Sequence, residues 1–150
     1  MSADWTTSDA WVFSSIEGTC LDDGYTLMQL LMKAEGINHA SLSEAELTQA
    51  VRRLTAAGLI GADAETNRYW HTASGHILYQ KAMKRRGLFG WIDAIPPSLR
   101  KLGEPRDGDA WSLPPGAFDR AAREAQTQWD RILKDLNAKR QRYPKNQDPR

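Results

Sequence analysis

A chain of 150 residues has the length of one domain, and its 20 lysines and arginines stand against 19 aspartates and glutamates, so no whole-molecule basic field points to nucleic acid. Hydrophobic residues make up 41%, enough for a core and too many for a disordered chain, while a single cysteine excludes an internal disulfide framework and suits a reducing compartment. The first residues carry neither a basic nor an apolar signal region, and the longest apolar stretch, around 56–62, falls far short of the ~20 residues that span a bilayer, so a cytoplasmic protein without a membrane partner is expected.

Ser8 is placed to cap a first helix over about residues 9–19, in which Trp11, Val12, Ser15, Ile16 and Thr19 recur at three- and four-residue spacing. Asp22-Asp23-Gly24 reads as a turn. A second helix is expected over about 26–35, with Leu27, Leu30, Leu31 and Ala34 inward and Gly36 ending it. The third starts sharply: Ser43 and Glu46 have the spacing of a capping box, and Leu42 and Leu47 that of a hydrophobic staple. It buries Leu47, Val51 and Leu54 and stops at Gly58. Residues 59–63 and 68–72 read as two strands around a polar turn. Thr72 then caps a fourth helix over 73–86, whose closing Lys84, Arg85 and Arg86 offset the negative end of the helix dipole.

Five of the seven prolines fall at 96, 97, 105, 114 and 115. Residues 87–113 are therefore expected to be mostly irregular, with a short helix near 97–102 at most, and to pack through Leu88, Phe89, Trp91, Ile95 and Trp111. Asp107-Gly108-Asp109 reads as a turn. A last helix over about 115–138 keeps Phe118, Ala122, Ala125, Trp129, Ile132, Leu133 and Leu136 on one face, which serves either to fold back on the domain or to join two copies as a homodimer. Residues 139–150, with five bases and one acid, read as a frayed basic tail. The six tryptophans, at 5, 11, 70, 91, 111 and 129, are spread through every segment and read as packing anchors, the alternative being an aromatic ligand pocket.

Three helices, a hairpin and a helix follow one another in the order of a winged helix-turn-helix domain. Two stretches carry the likeness: Ser43-Glu-Ala-Glu-Leu-Thr-Gln-Ala-Val-Arg-Arg-Leu-Thr-Ala-Ala-Gly-Leu-Ile60 and Arg68-Tyr-Trp-His-Thr-Ala-Ser-Gly75. They resemble bacterial winged-helix regulators of the PadR and MarR kinds, with His71 where that pattern has leucine. The Ile37-Asn-His-Ala40 turn resembles a further group of bacterial winged-helix proteins, from which no function follows. The resemblance covers about residues 8–86 and implies a mainly α fold with a small β-hairpin wing. It places a winged-helix domain over 7–90, followed by an irregular segment over 91–113, a C-terminal amphipathic helix over 114–138 and the tail.

The function this resemblance implies is DNA-binding transcriptional regulation. Residues 44–57 would be the recognition helix and 63–68 the wing tip. Gln49, Arg52 and Arg53 would meet the DNA, since amide and guanidinium groups bond base edges bidentately. Arg68 would hold phosphate from the wing, with Lys81, Lys84, Arg85, Arg86 and the tail adding phosphate contacts. The charges point the other way. Residues 1–86 hold eight bases against ten acids, Glu44 and Glu46 occupy the first turn of the recognition helix, and Asp63 and Glu65 flank the wing tip. A second expectation is thus an adaptor that docks another protein on the same fold without binding DNA.

Catalytic signatures are missing: no glycine-rich phosphate loop, no G-x-S-x-G elbow, no HExxH. Cys20 reads as a small structural thiol with no partnered base. His39, His71 and His76 could converge on a metal, but no Cys/His pair has zinc spacing. The expectation is a protein that is not an enzyme and needs no cofactor.

Overall fold

The computed structural model describes residues 4–108 and 110–142. Asp109 and residues 143–150 of the expected tail lie outside the described residues. Among the described residues are, in chain order, α1 (Thr7–Ser14), α2 (Leu27–Asn38), α3 (Glu44–Ala56), β1 (Ile60–Asp63), β2 (Arg68–His71), α4 (Ala73–Lys84), α5 (Trp91–Arg100) and α6 (Ala117–Arg142). The chain is mainly helical, with one two-stranded antiparallel hairpin and a long C-terminal helix. No helix is long and apolar enough to cross a membrane.

Helix starts follow local chemistry. Thr26, Ser43 and Thr72 cap α2, α3 and α4 through their hydroxyls, and the capping box of α3 forms as its spacing predicts. Helix ends differ more. α1 starts at Thr7 because the box is built by Thr6 and Asp9 rather than by Ser8. It stops at Ser14, well short of residue 19; the hydroxyls of Ser14 and Ser15 donate back to the carbonyls of Ala10 and Trp11, a local alternative that weakens helix propagation. α2 continues through Gly36 to Asn38, and His39 supplies the left-handed cap at φ 52°. The Trp129 ring of α6 lies beside Gly36, and a Cβ there would stand 3.6 Å from it, an ordinary van der Waals contact, so the packing does not demand a glycine.

β1 and β2 pair from Ile60 with His71 to Asp63 with Arg68. Tyr25 adds a third, single-residue rung by exchanging both backbone hydrogen bonds with Tyr69, at 2.7 and 2.8 Å. Short extended segments before α2 thereby brace the hairpin, which no alternation in the sequence announces.

α1 is the hub of the core and packs on α2, α3 and α5. Val12, Phe13, Ile16, Leu30, Leu47, Val51, Leu54, Ile95 and Leu99 are fully buried, each side chain stabilising the fold by about 1.5–3 kcal/mol. Tryptophans act as hydrogen-bonded staples between segments. Trp5 Nε1 donates to Gly103 O, Trp11 Nε1 to Ala34 O, and Trp91 Nε1 to Ile37 O. The packing role expected for them holds in these three cases.

Residues 87–113 contain more order than expected. α5 begins at Trp91 and carries Pro96 and Pro97 within it. The two missing amides would have bonded the carbonyls of Ile92 and Asp93, residues on the exposed side, so the lost bonds fall outside the core and the helix tolerates the prolines. Trp91 and Ile95 pack inward as predicted, whereas Leu88 and Phe89 do not. α6 folds its first half against α2, burying Ala121 and Ala125, while Ile132, Leu133 and Leu136 stay 39–56% exposed on its distal half.

His71 is buried against Phe13, rings stacked at 4.5 Å, and its Nε2–H donates to Phe13 O at 2.8 Å. Burial lowers its pKa below 6.5, helped by His76 and Lys33 and opposed by the Phe13 carbonyl and Glu17. The unfolded chain thus binds a proton below about pH 6.5 that the folded chain resists, and stability falls as pH drops through that window. Below pH 4.5 Glu17 and Glu46, both lowered in the fold, add to the loss. Thermal midpoints measured across this range should fall on acidification, and His71→Leu should flatten the step near neutrality while leaving the carboxylate step. An unchanged slope in His71→Leu would remove His71 as its source.

Candidate nucleic-acid interface

α3 and the hairpin are the surfaces expected to meet DNA, and their charges are spent mostly within the protein. The first turn of α3 is acidic. Glu46 accepts from the Ser43 amide at 3.1 Å through Oε1 and from the Ser8 hydroxyl at 2.6 Å through Oε2. The Ser8 hydroxyl, ahead of the Ser43 groups, holds the Glu46 carboxyl below its ordinary range, so it remains an anion. Its role is to close the helix start and tie α1 to it.

Arg53 does not face solvent. It is 4% exposed, and its Nη1 donates to Asp9 Oδ2 at 3.0 Å and to Asp4 O at 3.1 Å. Asp9 is fully buried and also accepts from the Thr6 amide, so one carboxylate caps α1 and neutralises α3's arginine. This corrects the expectation that Arg53 lies on the outward face: the helical face that turns inward is wider than Leu47, Val51 and Leu54 and takes in Ala50 and Arg53 too.

The C-terminal half of α3's outer face, around Arg52 and Ala56, is covered by Arg106, Asp107, Gly108 and Trp111. Arg52 Nε donates to Trp111 O at 2.8 Å, Arg106 Nη2 to Ala56 O at 3.3 Å, and Arg53 Nε to Asp107 Oδ1 at 3.4 Å. Gly108 lets the backbone sit down on the helix, for a Cβ there would stand 2.8 Å from Arg52 O and 2.9 Å from the Ala56 methyl. Trp111 meets Tyr69 of β2 edge-on, ring centroids 6.0 Å apart, which pins the far end of the segment to the hairpin. What stays open is a groove of about 660 Å³ between α3 and residues 107–113, with Glu44, Ala45, Thr48 and Gln49 on its helix side.

The remaining expected contacts are scattered. Gln49 is exposed on α3. Arg68 is half-buried and donates from Nη1 to Gly24 O at 3.2 Å, so it braces the turn before α2. Lys84 and Arg85 are exposed, but they line a different groove, of about 880 Å³, between α4 and α5. The six residues expected on one surface therefore divide: Arg53 is in the core, Arg52 lies under the covering segment, Arg68 braces the turn before α2, Lys84 and Arg85 line a separate groove, and Gln49 alone stays exposed on α3. Sequence reasoning missed the covering segment; Gly108 and Trp111 were its only signals, and neither says which surface it covers.

Charge is divided along the same line. Residues 4–72, which hold α3 and the hairpin, carry ten carboxylates and four cations; residues 73–101, α4 and α5, carry six cations and one carboxylate. Among the described residues no group of His, Cys, Asp or Glu could hold a metal. Cys20 is exposed rather than packed, its Sγ 3.2 Å from Asp23 Oδ1. No protein-family model, no curated protein and no solved structure matches the chain significantly.

Proposed function

We propose that this chain is a protein-interaction adaptor built on a winged-helix-like frame, and not a reader of duplex DNA through α3. The observation that carries this reading is that Arg106, Gly108 and Trp111 lie on the C-terminal half of α3's outward face, with Arg52 bonded to the Trp111 carbonyl and Arg53 buried against Asp9. A helix whose guanidinium groups are engaged inside the molecule has little to offer base edges or phosphates. The acids of its first turn repel phosphate as well. For docking, the chain offers α6, a 26-residue helix about 39 Å long, whose distal turns leave Ile132, Leu133 and Leu136 uncovered. Helix faces of this kind are used in pairwise helix recognition.

Anisotropy of a labelled mixed-sequence duplex, titrated at several salt concentrations, tests the negative half of this reading. No binding in the micromolar range is expected from α3 or the hairpin, and Arg52→Ala with Arg68→Ala should change nothing. Micromolar affinity with a steep negative log–log salt slope, flattened by those two substitutions, would establish DNA binding at α3 and overturn the adaptor reading.

A further inference from the structure

The most exposed large apolar side chains of the molecule sit where the chain turns from α4 into α5. Leu88 is 91% and Phe89 68% exposed, and Ile92 beside them is 43% exposed. A loose loop would hide such residues. This turn cannot, because it is pinned: Gly87 and Gly90 form an antiparallel bridge with Gly90 N–H bonded to Gly87 O at 3.2 Å, and the Phe89 amide donates to Asp93 Oδ2 at 3.0 Å. Gly87 allows that closure, since a Cβ there would stand 2.5 Å from the same Asp93 oxygen. Trp91, buried immediately behind, anchors the turn on α2 through Ile37 O. The result is a hydrogen-bonded turn that presents two bulky apolar groups to water.

A run of cations leads into this tip. Lys84, Arg85 and Arg86 precede Leu88 in the chain, all exposed, and Lys81 lies one turn further back on α4. The only carboxylate of residues 73–101, Asp93, is occupied by the Phe89 amide. We propose that this tip docks the protein on an anionic lipid surface, with Leu88 and Phe89 entering the boundary of the acyl region and Lys84, Arg85 and Arg86 meeting the headgroups. The layering matches a bilayer leaflet, in which anionic groups lie outside hydrocarbon. A nucleic acid would use the cations and leave Leu88 without a role. The inference is independent of the adaptor reading, which concerns α3 and α6, and it places membrane contact at a surface and not in a span.

Co-sedimentation with large vesicles of phosphatidylcholine, and of an equimolar mixture with phosphatidylglycerol, decides the matter. Binding to the mixed vesicles only, weakened by salt, is expected. Each cation near an anionic surface strengthens binding about fivefold, so Lys84→Gln, Arg85→Gln and Arg86→Gln together should lose about a hundredfold. Leu88→Ser with Phe89→Ser should lose at least about tenfold while thermal midpoints stay unchanged, because neither side chain packs in the fold. Absence of binding to both vesicles, or equal binding to both, overturns the proposal. So does binding that survives Leu88→Ser with Phe89→Ser and is competed away by duplex DNA, which would mark a general polyanion site.

Discussion

Arg53→Met should destabilise the protein by about 3–5 kcal/mol, read from urea unfolding at neutral pH. The substitution preserves side-chain bulk but leaves the Asp9 carboxylate, 0% exposed, with the Thr6 amide as its remaining donor. A buried anion without its counter-charge carries a desolvation penalty that the pair previously offset. Asp107→Asn on the other side of the same guanidinium should change stability negligibly, since Asp107 is 78% exposed and its contact is long at 3.4 Å. The contrast separates two roles for Arg53. As a DNA contact it could be replaced at no cost in stability; as the partner of Asp9 it cannot. A loss under about 1 kcal/mol in Arg53→Met would refute the buried pair.

Gly75→Ala should cost about 3 kcal/mol, although alanine is the better helix former and position 75 lies in the first turn of α4. A Cβ at Gly75 would stand 1.9 Å from Leu59 O and 2.8 Å from Leu59 C. The obstacle is backbone, and that same carbonyl accepts the Thr72 amide at 3.0 Å, so it cannot retreat without releasing the cap region of α4. Ser74→Ala, one residue earlier and exposed, should be neutral or slightly stabilising. Equal behaviour of the two variants in thermal or urea unfolding would show that α4 does not press on the junction between α3 and β1. The Thr72-to-Gly75 spacing seen in the sequence thus has two physical meanings, a hydroxyl cap and a place where backbone meets backbone.

Chemistry that acts within a few residues is legible in this sequence, and chemistry that depends on a distant partner is not. Ser43 and Glu46 must lie within hydrogen-bond reach once the helix starts, so their spacing alone predicts the box that α3 forms. Gly36 has the signature of a helix end, yet α2 runs on through it to Asn38 and His39 takes the left-handed cap instead. Pro96 and Pro97 argued against a helix, and α5 forms around them because Trp91, Ile95 and Leu99 are buried along one side. Leu88 and Phe89 were expected inside on hydrophobicity, and the turn closed by Gly87, Gly90 and Asp93 holds them out.

By itself the sequence determined the starts of α2, α3 and α4, the hairpin and the main inward stripes of α2 and α3, because capping spacing and periodicity act within a few residues. It also determined the division of charge between residues 4–72 and 73–101, which follows from composition alone. Only the tertiary structure decided what those charges do. Arg53 turns inward because Asp9 waits there 44 positions earlier in the chain. The C-terminal half of α3's outer face is covered because Arg106, Gly108 and Trp111 come back over it. Whether a cation is a contact or a strut depends on which groups long-range packing brings beside it, and desolvation makes that choice energetically large.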